Sequence, residues 1–234
     1  MVYVRKILVL SNMDVWVLIP AYNEEETLGP LIKKLKEEKL SVLVVDDGSV
    51  DNTARIAEEN GAVLLRNGKN SGKGVSLKKG IAYLLGQRHF DYVLIMDGDG
   101  QHAPSDTEKF LKEAERGKPC VIGNRMDNPL GMPALRIFTN KFMSWLISRI
   151  TQQHIPDSQC GFRLIKRKLL EQITIHTDNY QIESEILIKV ARQGTPIKSI
   201  PVKSIYHKNS KSKIRPIIDT CRFVKFIFSL NGQM

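Results

Sequence analysis

Short apolar runs that end in polar turns, with helix-patterned stretches between them, constrain this 234-residue chain more than any other feature. Val15–Ile19 is such a run and stops at Pro20. Ser41–Val45 stops at Asp46-Asp47-Gly48-Ser49. Ala62–Leu65 is a third run, and Tyr92–Met96 stops at Asp97-Gly98-Asp99-Gly100-Gln101. Between them, Glu24–Glu37 repeats Leu28, Leu31, Ile32 and Leu35 at helical spacing. Asn52–Asn60 is a helix with Asp51 as its cap and Gly61 as its stop, and Val75–Leu85 is a third helix. Strands alternating with helices predict an α/β fold: a mostly parallel, Rossmann-like sheet with helices on both faces.

The rest of the chain is less regular. Ala134–Ile150 and Glu183–Arg192 carry helical patterns. Ile197–Ile205 reads as a strand, at a sheet edge because it contains Pro201. Ile214–Leu230 has its polar residues Asp219, Arg222, Lys225 and Ser229 on one stripe, so an amphipathic helix is expected there. The implied division is a catalytic domain over 13–213 and an interfacial tail over 214–234. Residues 1–12 read as an extension.

The formal charge is +10. From Lys198 to Lys225 eight Lys or Arg face a single acid, Asp219, so seven of those ten charges lie near the C-terminus. A basic tail of this kind meets nucleic acid, an anionic membrane surface or a phosphorylated substrate. No apolar run reaches the ~18–20 residues of a membrane span, and Arg5 and Lys6 interrupt the N-terminus, which does not read as a signal peptide. Cys120, Cys160 and Cys221 are odd in number and widely spaced, which fits idle thiols in a reducing compartment.

In open parallel sheets ligands bind beyond the C-terminal strand ends, and three of those ends are polar here. At the fourth strand Asp97, Asp99 and Gln101 alternate. In an extended segment they point the same way and give two carboxylates and an amide oxygen, a hard-oxygen set for Mg2+ or Mn2+. A divalent ion with open positions takes diphosphate oxygens.

Four blocks, PAYNE (20–24), DDGSVDNT (46–53), GKG (72–74) and DGDGQH (97–102), resemble family 2 glycosyltransferases with the GT-A fold. Four more narrow the resemblance to polyprenyl-phosphate hexosyltransferases, among them the dolichyl-phosphate mannose synthases. These are GNR (123–125), DSQCGFR (157–163), IESEI (182–186) and YHKNSKSK (206–213). The resemblance implies an inverting transfer of a hexose from GDP-mannose or UDP-glucose. It places Pro20, Tyr22 and Glu24 around the nucleoside, and Val44 and Asp46 at base or ribose. It sets Asp97 at the diphosphate and metal, Asp99 and Gln101 on the ion, and Arg125 at the acceptor phosphate or sugar. Lys213 falls where the family has a diphosphate-binding lysine. In the surrounding R-x-x-G-x-S-K pattern this chain has His207 and Ser210 in place of the arginine and glycine.

Acceptor chemistry divides the alternatives. A phosphate monoester is already ionised and needs only cations such as Arg125, Arg136 and Arg163 to position it. A hydroxyl acceptor, as on a glycan, needs a carboxylate base, for which Asp157, Glu183 and Glu185 are the candidates. Phe138, Phe142, Trp145 and Leu146 lie at helical spacing beside Arg136, Lys141 and Arg149; this pattern suits either a core face or a membrane-facing groove for a lipid acceptor. The chain is expected to act peripherally at the cytoplasmic face of a membrane, with no nucleic-acid partner. An oligomer is compatible with the sequence. A non-catalytic basic binding module would explain the charge but not the ordered strand-end motifs.

Overall fold

A computed structural model describes residues 13–178, 181–205, 223, 226 and 227. Seven strands form one sheet in the order β3-β2-β1-β4-β6-β5-β7. They are β1 (Val15–Ala21), β2 (Ser41–Asp46), β3 (Val63–Arg66), β4 (Tyr92–Ile95), β5 (Cys120–Asn124), β6 (Arg163–Lys166) and β7 (Ile197–Pro201). The pairs β1–β2, β1–β4, β2–β3 and β5–β7 are parallel, and β6 alone runs antiparallel, to both β4 and β5. The sheet is therefore mixed but mostly parallel, as expected.

Among the described residues seven named α-helices cover it: α1 (Leu28–Glu37), α2 (Thr53–Glu59), α3 (Lys73–Gln87), α4 (Thr107–Glu115), α5 (Ala134–Thr151), α6 (Arg167–Glu171) and α7 (Ile182–Arg192). Helices lie on both faces. On one, Leu28, Leu31, Ile32 and Leu35 of α1 and Phe110, Leu111 and Ala114 of α4 pack on Val17, Ile19, Val42 and Val44. On the other, Leu77, Ile81 and Leu84 of α3 and Ile182, Ile186 and Val190 of α7 pack on Leu18, Leu43, Val93 and Ile95. This alternation of one strand's residues between two cores is the pleat at work.

Several boundaries move from the expectation, each for a local reason. Helix α1 starts at Leu28 rather than Glu24, because Asn23 adopts φ 53° and a clasp holds the preceding turn. In that clasp the Asn23 and Glu24 N–H groups donate to Ser49 Oγ and Thr53 Oγ1 at 2.9 and 2.8 Å. Gly61 ends α2 at φ 74°, and Asp51 accepts the Thr53 N–H at 2.9 Å. Strand β7 stops at Pro201 and lies at the sheet edge. Helix α3 begins two residues early, at Lys73, so Gly72-Lys73-Gly74 is a helix entry rather than a free turn.

Strands β5 and β6 and helix α4 go beyond the sequence expectations. Their consequence is functional. Because β6 is antiparallel, residues 157–162 arrive at the same sheet edge at which β1, β2, β4 and β5 end. Residues 214–230, the expected amphipathic helix, lie almost wholly outside the described residues, as does the boundary proposed at 213. Three residues there are described: Phe223 is buried, with Phe226 and Ile227 beside it, against Met143, Ile147 and Leu187. No helix among the described residues is long and apolar enough to cross a membrane.

Candidate active site

Asp97 is the centre of the edge. Its Oδ1 lies 2.5 Å from Lys73 Nζ and its Oδ2 lies 3.4 Å from His102 Nε2. Lys73 also donates to Glu183 Oε1 at 2.6 Å, so one ammonium joins the first residue of α3 to the end of β4 and the start of α7. Burial pushes the Asp97 carboxyl up, but the Lys73 ammonium and His102 outweigh it and hold Asp97 well below the usual carboxylate range. Lys73 is held above its ordinary value: burial alone would lower it, and Asp97 and Glu183 reverse that. His102 is buried, packs its ring 5.1 Å from Phe162, and pairs with Ser204 in an antiparallel bridge. It is a buried partner of Asp97.

Gly161 comes to the other side of the carboxylate. A Cβ there would sit 2.5 Å from Asp97 Oδ2, so only glycine lets the 157–162 loop lie on Asp97. The expectation of an extended Asp97–Gln101 segment is corrected: residues 98–100 turn, with Gly100 at φ 70° and Asp99 Oδ1 accepting the Gln101 N–H at 3.0 Å. Thr27 Oγ1 fixes this turn by donating to the Gly98 carbonyl at 2.6 Å.

The site fits a divalent cation by donor chemistry. Asp97, Asp99 and the Gln101 amide carry hard oxygen donors of the kind Mg2+ and Mn2+ take, and Asp97 already pairs with Lys73. Among the described residues no group of three or more His, Cys, Asp or Glu is placed to hold a metal ion.

At β2 the two aspartates divide their work. Asp46 is fully buried, accepts the Ser49 N–H at 3.0 Å, and lies 3.0 Å from Arg66 Nε as an ion pair. Asp47 gathers the segment ahead of α3: its Oδ1 accepts from Asn67 Nδ2 and the Ser71 N–H at 2.8 and 3.0 Å, and its Oδ2 from the Gly72 N–H at 2.8 Å. Asp47 thus sets where Lys73 starts. Pro20, Tyr22 and Glu24 are half-buried at the neighbouring strand end, beside Asp46. Val44 lies wholly within the core, with no side-chain surface for a ligand.

At β5 Arg125 is buried against Asp157. Its Nε and Nη2 donate to the two carboxylate oxygens at 2.7 and 2.8 Å, and its N–H donates at 3.0 Å. Asn140 of α5 donates to the same carboxylate at 2.8 Å. Burial raises the Asp157 carboxyl, but Arg125 and these hydrogen bonds bring it below its ordinary value. Arg163, expected at the acceptor, is buried with its donors on the carbonyls of Cys160, Ser158 and Glu183; it braces the loop and does not face a ligand. Arg136 is half-buried near the start of α5. Lys213 lies outside the described residues.

Sequence reasoning missed Lys73, Asp47 and Gly161 as site residues; only the GKG block pointed near the first. Cys120 and Cys160 are buried, and burial pushes both thiols up to about 12, so they are chemically idle.

The topology and the loaded edge define the GT-A class of nucleotide-sugar transferase fold. Glucosyl-3-phosphoglycerate synthase from Mycobacterium tuberculosis, in complex with Mn2+, uridine diphosphate and phosphoglyceric acid, superposes with a TM-score of 0.73 at 18% identity, over 93% of this chain and 78% of that one. The chain belongs to glycosyl transferase family 2, whose profile matches residues 16–174, and it is a glycosyltransferase. It is 30% identical over 216 residues to the undecaprenyl-phosphate mannosyltransferase of Micrococcus luteus, spanning 86% of this chain and 88% of the relative. It is 28% identical over 230 residues to the UDP-N-acetylglucosamine–dolichyl-phosphate N-acetylglucosaminyltransferase of Methanococcus voltae, at 87% and 90% coverage.

Proposed function

We propose that the protein moves a hexose, from a donor such as UDP-glucose or GDP-mannose, to a polyprenyl phosphate with inversion, peripherally at the inner face of a membrane. One observation carries the choice of acceptor. The three carboxylates named as candidate bases for a hydroxyl are all committed. Asp157 is locked to Arg125 and Asn140. Glu183 is paired with Lys73. Glu185 is buried, accepting from the His176 and Thr177 N–H groups, Thr177 Oγ1 and Lys189. A phosphate monoester needs no base. The relatives that act on dolichyl and undecaprenyl phosphates agree with that choice.

In this reading Asp46 and the Pro20–Glu24 turn hold the nucleoside. Asp97, Asp99 and Gln101 would hold a Mg2+ or Mn2+ ion, which when bound stabilises charge developing on the departing diphosphate. Lys213 adds a cation to that diphosphate. Lys73 and His102 fix Asp97, and Asp47 fixes Lys73. Arg125 and Arg136 orient the acceptor phosphate, with Asp157 setting the plane of the Arg125 guanidinium. An acceptor oxygen then forms a bond to the anomeric carbon as the bond to the diphosphate breaks, and the nucleoside diphosphate departs.

The test compares dolichyl phosphate with dolichol as acceptor for a radiolabelled nucleotide sugar. Label is expected in the organic phase with the phosphate alone. Equal transfer to both would show that a base operates and would favour a hydroxyl acceptor.

A further inference from the structure

Helix α5 buries a mixed face, with Met143 and Ile147 beside polar Asn140 and Ser144. Its inward positions include Asn140 and Ser144, each 3% exposed and hydrogen-bonded to Asp157 and Ser158. Its outward positions include four large apolar residues beside exposed Lys141 and Arg149: Leu135, Phe138, Phe142 and Trp145 are 54%, 71%, 39% and 53% exposed. Their spacing of three, four and three residues makes one continuous stripe. A single exposed apolar side chain means nothing, but a stripe of four does.

The cations around the stripe narrow what can cover it. Arg136, Lys141 and Arg149 are the only charged residues of α5, and the helix has no acid. The Phe142 and Trp145 rings stack with centroids 6.2 Å apart, and the Arg149 guanidinium lies 5.8 Å over the Trp145 ring. Aromatic rings beside cations suit the headgroup level of a bilayer, where the rings enter the apolar boundary and the cations meet phosphates. A second copy paired through this stripe would bring two acid-free cationic helices together, and like charges oppose that.

We propose that α5 docks stripe-down on an anionic lipid surface. The proposal rests on the polyprenyl-phosphate reading for its purpose. Through Asn140 and Asp157 the docked helix is tied to Arg125, so the bilayer contact and the proposed acceptor arginine form one rigid unit.

The chain has two tryptophans. Trp16 lies in the core, packed against Val93 and Leu84 among others, so Trp16→Phe leaves Trp145 as sole reporter. With vesicles of phosphatidylglycerol and brominated phosphatidylcholine at low salt, Trp145 emission is expected to shift to the blue and be quenched. The effect should fade as salt rises and be absent on neutral vesicles. Phe138→Ser with Phe142→Ser, checked for unchanged circular dichroism, is expected to weaken vesicle binding by about tenfold or more. No emission change at low salt would overturn the proposal. So would vesicle binding with Trp145 unquenched, which would assign the contact to another segment, or a lipid-free shift that follows a doubling of mass, which would assign it to a second copy. The acceptor reading is judged separately, by transfer to a short-chain polyprenyl phosphate in detergent. There the double variant should match the wild type, and on vesicles it should fall by about tenfold with its binding. A wild type inactive toward every polyprenyl phosphate would sink the acceptor reading and leave the vesicle result standing.

Discussion

Lys73→Met is expected to destabilise the protein by roughly 3–5 kcal/mol, the cost of removing one partner from a buried ion pair. Two carboxylates depend on this ammonium, Asp97 at 2.5 Å and Glu183 at 2.6 Å, and all three side chains are largely shielded from water. Methionine fills the space without the charge. Against a typical domain stability of about 5–15 kcal/mol this is a large fraction. Urea unfolding monitored by circular dichroism measures it directly. The loss should be greatest near neutral pH and shrink in acid, since Lys73 holds the Asp97 carboxyl below the usual carboxylate range, and Mn2+ should raise the melting temperature of the variant more than that of the wild type, since a divalent ion restores charge beside Asp97. A loss below about 1 kcal/mol would place Lys73 among exposed, weakly coupled pairs and contradict the arrangement described.

Asp99→Ala is expected to lower turnover by on the order of 10³-fold, the scale on which removing a group that stabilises transition-state charge acts. It is the cleaner of the two aspartates to test. Asp97 supports Lys73 and His102, so its loss disturbs the whole edge. Among the described residues Asp99 accepts only the Gln101 N–H, within a turn already held by Gly100 and Thr27. The melting temperature should therefore stay close to that of the wild type while activity collapses. Asp99→Asn keeps the turn hydrogen bond and should be equally inactive. Full activity in either variant would remove Asp99 from the ion site.

The first half of the fold was legible because each strand is an apolar run closed by turn residues, α1 repeats leucine and isoleucine at helical spacing, and α2 is bracketed by Asp51 and Gly61. The shared edge of Pro20, Asp46 and Asp97 followed from that pattern, but the strand order did not: β1 lies beside β4 and β2 does not. The second half was not. Cys120–Asn124 and Arg163–Lys166 are too short to show a period, and β6 runs against its neighbours, which a βαβ pattern does not anticipate. The site was legible only where its residues are consecutive. Asp97 and its partners were separable by motif, but Lys73 and Glu183 are 110 positions apart, and no spacing rule joins them. Gly161 reads as an ordinary glycine until the antiparallel strand lays it on Asp97. The stripe of α5 was visible as spacing, yet core and interface share the same period. Only the inward turn of Asn140 and Ser144 decides which face meets the outside.

We propose that sugar transfer by this chain depends on a divalent ion at Asp97, Asp99 and Gln101. The most direct measurement is transfer of label from UDP-glucose and GDP-mannose to polyprenyl phosphate in one preparation, with Mn2+, then with excess chelator, then with Mn2+ restored. Product should form with one of the donors, stop in chelator and return with the ion. Undiminished transfer in excess chelator would contradict the account.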